Sequence, residues 1–172
     1  RQIYSLRLVR QERVLVENRI FPHAERLQFL AGHQLHRACG RLGSWYERTG
    51  EYLTAAELFR QAGDWDGLLR AAAADCGKSI GGEHRQMLLS WCRGCPEDVL
   101  RRHPDAVCVL MRKLFSFREI PELLRLRALL LDALQPGGAF CEQERENYLG
   151  ECDLVMSFLR YNDIAAMSVL HR

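Results

Sequence analysis

Lysine is nearly missing from this chain, with two residues against 22 arginines in a total of 172. That bias carries no function by itself. Long apolar runs are missing too. Stretches such as Leu129 to Leu131 fall far short of the roughly 20 residues that a bilayer requires, so no membrane-spanning class fits. The opening residues, Arg1 to Arg7, lack a sustained apolar core ahead of a small-residue cleavage site, so no secretory leader is expected. Proline occurs five times and no period-two alternation of apolar and polar residues stands out, which argues against strands. Cysteine is present seven times, an odd number, mostly inside apolar helical patterns where a thiol acts as a small hydrophobe. A reduced, cytoplasmic setting is expected.

The composition, 48% hydrophobic and 27% charged, belongs to a globular domain or a short run of repeats able to bury a substantial core. The formal net charge of +2 conceals an asymmetry, because residues 1 to 49 hold nine arginines and four acids whereas residues 50 to 172 hold 15 basic and 18 acidic residues. A basic front can signal nucleic acid. Here the arginines recur among Leu and Val, as on the solvated face of helices.

Apolar residues return every three or four positions almost throughout, so helices are expected along most of the chain. One covers residues 4 to 20 and ends at Phe21-Pro22; a long one runs from His23 to Thr49 and breaks at Gly50. Tyr52 to Gln61 is its antiparallel partner, and Asp64 caps a helix from Trp65 to about Cys76. A loop over residues 77 to 82 leads to helices at His84 to Arg93, between Pro96 and Pro104, over residues 105 to 117, and from Pro121 through Leu134. Gln135-Pro136-Gly137-Gly138 is the clearest linker. Tyr148, Cys152, Val155 and Leu159 mark a further helix, and Asn162-Asp163 turns into a last one.

Several motifs tempt a chemical reading. Gly77-Lys78-Ser79 resembles the end of a phosphate-binding loop, but Ala72 stands where the first glycine belongs and the preceding stretch is helical instead of a strand. Cys92 and Cys95 have the spacing of a zinc or redox pair, yet no second such pair exists, His84 and His103 lack paired spacing, and the motif closes a helix instead of opening one. Both thiols then read as apolar helix-end residues. His33 and His36 share a helical face without an acidic or thiol companion. No Ser-His-Asp or Cys-His arrangement and no catalytic acid or base is nominated, so the expectation is a chain that is not an enzyme and has no cofactor or metal of its own.

The strongest pattern lies between Leu42 and Ala62. Leu42, Gly43, Tyr46, Gly50, Tyr52, Ala55, Phe59 and Ala62 fall at the offsets of a 34-residue tetratricopeptide unit, a helical hairpin that stacks on others like itself. Cys39 replaces its usual Trp, and Gly67 the Pro that ends the second helix. Gly43 and Ala55 are expected to let the helices approach, with Tyr46, Tyr52 and Phe59 filling the surrounding space. The turn Gly50-Glu51-Tyr52 has related wording at Arg118-Glu119-Ile120, 68 residues or two periods later, and at Asn162-Asp163-Ile164, with a decayed middle turn expected near Gly81-Gly82. The expected fold is all-α, antiparallel helical hairpins stacked as a short superhelix. In that register Arg37, Ser44, Glu47 and Arg48 face or flank the groove lined by the first helix.

Wider wording points to a family. Trp45-Tyr46-Glu47, Gly77-Lys-Ser-Ile80, the run from Leu89 to Val99, the run from Lys113 to Glu119, and the run from Gly150 to Met167 occur in an order that resembles the central helical region of large LuxR-type transcriptional regulators, the class of the maltose-operon activator. The resemblance covers about residues 35 to 172, and its most specific piece is Tyr161 to Ser168. In such proteins an ATP-binding signalling domain and a winged-helix segment precede the superhelix, and a helix-turn-helix that grips DNA follows it. The resemblance implies that residues 1–34 are bridging helices, 35–135 tetratricopeptide-like hairpins, 136–141 a linker and 142–172 a last hairpin cut short. It implies a non-catalytic sensor or interaction segment lacking both the ATPase and the DNA-binding domain. ATP then belongs to the missing front domain, and DNA is reached only through the missing rear one. Its partners are the other domains of the chain and a small-molecule inducer or protein in the groove, with no membrane involved. Family members commonly have a structural Gly-Lys-Ser at this place and an apolar residue where Cys92 stands. The alternative is a free-standing protein-interaction scaffold unrelated to transcription.

Overall fold

A computed structural model describes the backbone of residues 25–136 and 138–159, and the side chains from residue 34 onward within them. The chain is all-α. The described residues form eight α-helices and no strand: α1 (Glu25–Arg48), α2 (Tyr52–Gln61), α3 (Trp65–Asp75), α4 (Arg85–Gly94), α5 (Glu97–Arg102), α6 (Pro104–Ser116), α7 (Ile120–Ala133) and α8 (Glu142–Leu159). A 3-10 turn, Gly82–His84, precedes α4. The expected helix over residues 4 to 20, the turn at Asn162-Asp163-Ile164, the Tyr161 to Ser168 segment, and the side chain of His33 lie outside the described residues. Two compact units divide the chain, residues 1–71 and 72–172, and each is taken by itself.

In the first unit α1 and α2 form an antiparallel hairpin around Cys39, Leu42 and Leu58, with Tyr46 and Ala62 packed against them. Gly43 makes room for a side chain of α2. Its missing side chain is replaced by the ring of Phe59, to which a Cβ at Gly43 would come within 3.0 Å. Gly67 departs from its expected place, because α2 ends at Gln61 and Gly67 stands in the first turn of α3. A Cβ there would lie 2.8 Å from the same ring and 2.6 Å from Asp64 Oδ2. Phe59, 1% exposed, is therefore held between two bare backbones, one from α1 and one from α3. Burying such a ring stabilises by roughly 1.5–3 kcal/mol. The expected cap is present: Asp64 Oδ1 accepts the Gly67 amide at 2.8 Å.

One turn geometry recurs in both units. At the end of α1 the Glu51 amide donates to the Tyr46 carbonyl (3.0 Å) and the Gly50 amide to that of Glu47 (3.2 Å). After α2 the Asp64 amide donates to Phe59 (2.9 Å) and Gly63 to Arg60 (3.0 Å); after α6, Glu119 donates to Leu114 (2.9 Å) and Arg118 to Phe115 (3.0 Å). These are Schellman motifs, which need a left-handed residue in the middle. Gly50, Gly63 and Arg118 supply it at φ 83°, 70° and 59°. The acid that follows starts the next helix, with φ/ψ of −86°/60° at Glu51 and −87°/60° at Glu119. The related wording at Gly50 and Arg118 thus encodes one backbone path. The middle turn expected near Gly81-Gly82 does not share it: Gly81 is extended at φ −91° and ψ −178°, and the left-handed residues there are Cys76 and Gly77.

In the second unit α6 is the central helix, buried continuously from Ala106 to Met111, and it packs against α7 and α8. Pro104 opens it at a position whose amide has no helical partner to lose. α7 also meets α5 and α4, enclosing Trp91, Leu100, Leu123 and Leu126. Residues 134–141, which contain the expected linker, join α7 to α8.

Three substitutions test these constraints. Gly67→Ala gains roughly 1 kcal/mol of helix propensity but drives a methyl into the Phe59 ring, a strain of about 1–3 kcal/mol. The expected result is a net loss in urea unfolding that Phe59→Leu in the same chain partly removes. Gly50 has nothing within 4 Å of a built Cβ, so Gly50→Ala isolates the left-handed penalty of about 1 kcal/mol. Arg118→Gly should run the other way and raise the unfolding midpoint.

Candidate functional site

Arg37, Ser44 and Arg48 follow one another along α1 at steps of seven and four residues, so they form one ridge. The core residues Cys39, Leu42 and Gly43 lie on the other side of the helix. Arg37 and Arg48 are exposed and make no ion pair among the described residues. Ser44 is half-buried and donates to the Gly40 carbonyl at 3.0 Å, a local bond that leaves its oxygen free to accept.

Glu47, the remaining residue of the expected groove set, is committed elsewhere. Its carboxylate takes two bonds from Arg70 of α3, Nε to Oε1 at 2.6 Å and Nη2 to Oε2 at 3.1 Å. The Arg70 guanidinium also lies 5.6 Å from the centroid of the Phe59 ring. The hydrogen bond to Glu47 raises the Arg70 pKa above its ordinary value, against a smaller opposing effect of burial. The ridge is therefore cationic: the acid that sequence register placed beside it is neutralised by a partner 23 residues away.

The Gly77-Lys78-Ser79 segment is closed by its own anion. Asp75, 6% exposed, accepts the Ser79 amide at 2.9 Å and its hydroxyl at 2.6 Å. Lys78 is exposed, and the ammonium that holds the loop belongs to Lys113, which donates to the Ile80 carbonyl at 2.9 Å. A carboxylate thus occupies the amide and hydroxyl that a phosphate would need. Gly77 is required twice over, by its left-handed φ of 75° and by the Lys113 chain, which a Cβ would meet at 2.6 Å.

Cys92 and Cys95 are both buried, at 0% and 5% exposure. Burial pushes the Cys92 thiol up to about 12, the nearby Glu122 carboxylate adds to this, and Arg125 opposes it. Arg125 meanwhile donates to the Cys92 carbonyl at 2.7 Å and to Glu122, tying the end of α4 to α7. His84 is engaged by the Gly81 amide at its Nδ1 (3.1 Å), and His36 is exposed. Among the described residues no three His, Cys, Asp or Glu side chains stand close enough to hold a metal ion together. Cys108 is likewise pushed up to about 12, mainly by burial, and Cys39 and Cys152 are raised by burial. Such thiols stay protonated near neutral pH and are poor nucleophiles.

These thiols give a pH dependence. The unfolded chain releases their protons near the ordinary value of 9.0, whereas folded Cys92 and Cys108 keep theirs to about 12. Their stabilising contribution is full below pH 9 and is lost as pH rises toward 12, at roughly 1.4 kcal/mol per pH unit for each thiol. Alkaline urea titrations should show a shallower loss for Cys108→Val than for the wild type. In the folded protein at neutral pH, a thiol reagent should modify the exposed Cys76 and Cys141 rapidly and the five buried cysteines only after denaturation.

No helix among the described residues is long and apolar enough to cross a membrane. Comparison of the chain with protein-family models, with curated proteins and with solved structures finds no match.

Proposed function

We propose that this chain is a non-catalytic interaction and sensor segment of a LuxR-type DNA-binding transcriptional regulator, acting in the cytoplasm, with the outer ridge of α1 as its recognition face. The observation that carries the reading is the state of that ridge. Arg37 and Arg48 extend into solvent from a helix whose opposite side is fixed by the Phe59 contact, and no acid of the first unit neutralises them among the described residues. A rigid helix presenting unsatisfied guanidinium groups is suited to binding, since planar forks recognise carboxylates and phosphates in fixed geometry. The identical turns at Gly50 and Arg118, two 34-residue periods apart, support a tandem hairpin array. The assignment to a regulator rests on the ordered wording from Trp45 to Met167. ATP binding and DNA contact then belong to other parts of the longer protein, and this segment relays the state of its ridge to them.

The test uses the full-length regulator. Arg37→Ala combined with Arg48→Ala should reduce induced transcription at least tenfold while leaving helical content and operator binding intact. An unchanged response would remove the ridge from the mechanism. Reading the gene on both sides separates the regulator from a free-standing scaffold: an upstream phosphate-binding loop and a downstream helix-turn-helix are expected, and stop codons close by would transfer the ridge to a scaffold.

A further inference from the structure

Four apolar positions recur at a fixed distance from each hairpin turn. In the first hairpin Leu42 of α1 packs with Leu58 of α2, and Tyr46 and Ala55 stand nearer the turn at Gly50. A shift of 68 residues, which carries Gly50 onto Arg118, takes Leu42, Leu58, Tyr46 and Ala55 onto Leu110, Leu126, Leu114 and Leu123 of α6 and α7, all 0% exposed. A shift of 112 residues, which carries Gly50 onto Asn162, takes them onto Leu154, Leu170, Phe158 and Met167. A leucine pair thus recurs in register three times. The difference lies in α8. Leu42 is 3% exposed, whereas Leu154 is 42% and Phe158 52% exposed. The Phe115 ring of α6 lies 5.8 Å from that of Phe158, centroid to centroid, so α6 supports this ring without covering it. α8 therefore leaves open the positions that are buried in the first two hairpins.

We infer that residues 163–172 of the same chain dock antiparallel on this face of α8 and complete a third hairpin, with Leu170 against Leu154 and Met167 against Phe158. Three features of the sequence name the occupant. Asn162 stands at the left-handed position that Gly50 and Arg118 fill, and asparagine enters that region more readily than most residues with a side chain. Asp163 follows it as Glu51 and Glu119 follow theirs, so its amide is placed to donate to the Phe158 carbonyl as theirs do to Tyr46 and Leu114. Ile164, Met167 and Leu170 recur every three residues and give the segment one apolar side. A helix that returns through so short a turn lies along the one it leaves, which brings Leu170 back to the level of Leu154. The contact sets leucine on leucine and a thioether on an aromatic ring. It needs no charge pairing, so salt does not weaken it. The inference uses neither the α1 ridge nor the regulator reading.

Thiol labelling of the 172-residue chain tests this. In a background of Cys76→Ser and Cys141→Ser, which removes the exposed cysteines, Leu154→Cys serves as one reporter and, in a separate chain, Phe158→Cys as a second. Each reporter should react roughly tenfold or more slowly than Cys76 does in the wild type, because only local opening exposes it, and the rate should not change with protein concentration. Leu170→Asp should restore fast labelling at position 154, and Met167→Asp at position 158. Asn162→Gly removes the side-chain cost of the left-handed region and should slow labelling a further few-fold, whereas Asn162→Val should speed it. Circular dichroism checks that each variant keeps the helices of its parent. Reporters that react as fast as Cys76, or protection that both aspartates leave intact, overturn the inference. Protection that fades on dilution overturns it as well, because a second copy is then the occupant.

Discussion

Three helix junctions in this chain depend on a left-handed residue. At the three junctions where three residues separate one helix from the next, the carbonyl of a residue near the end of the first helix accepts the amide five positions on. Tyr46, Phe59 and Leu114 are the acceptors, and Glu51, Asp64 and Glu119 the donors. Closing that ring forces the intervening residue to positive φ, a region where an L side chain costs roughly 1–2 kcal/mol. Gly50 and Gly63 meet the requirement at little cost; Arg118 meets it at φ 59° with a full side chain. Each donor amide belongs to an acid that opens the following helix, where a carboxylate also complements the positive end of the helix dipole. A five-residue bond therefore ends one helix, sets the direction of the chain and starts the next.

This constraint explains which features sequence reading could reach. The hairpin at Gly50 was legible because glycine is the residue that the left-handed position selects, and because Phe59 recurs at a fixed distance from Gly43. Arg118 was legible only through the words around it. The middle turn misled for the converse reason: Gly81-Gly82 has the composition of a turn, but the left-handed residues are Cys76 and Gly77, and the loop is set by the Asp75 carboxylate and by Lys113 from 33 residues away. Gly67 misled as well, since register alone does not distinguish a glycine that ends a helix from one that lets the next helix touch an aromatic ring.

The candidate face shows the same division. Helical period placed Arg37, Ser44 and Arg48 together, because one helix carries all three. The fate of Glu47 depends on Arg70, a residue of another helix, and in a chain with 22 arginines nothing local marks which one a given acid will meet. The resulting pair changes the sign of the face. A groove expected to offer both charges offers cations, so the charge of that face is set by a contact outside α1.

The scarcity of lysine acquires a structural meaning in the second unit. Arg125 donates at once to the Glu122 carboxylate and to the Cys92 carbonyl, and Arg145 reaches the Leu134 carbonyl at the end of α7 at 2.8 Å. Carbonyls in the last turn of a helix have no intrahelical donor. A guanidinium can satisfy one while still holding a carboxylate, because its donors point in fixed, divergent directions. An ammonium is a point charge without that fork; Lys113, which takes on a single carbonyl, does so with its stem laid across Gly77. Replacing Arg125 with lysine would keep the charge and sacrifice one of the two contacts, leaving either Glu122, 9% exposed, or the end of α4 short of a donor. Inside the second unit arginine thus joins helix termini to acids, whereas Arg37 and Arg48 on α1 make no ion pair among the described residues.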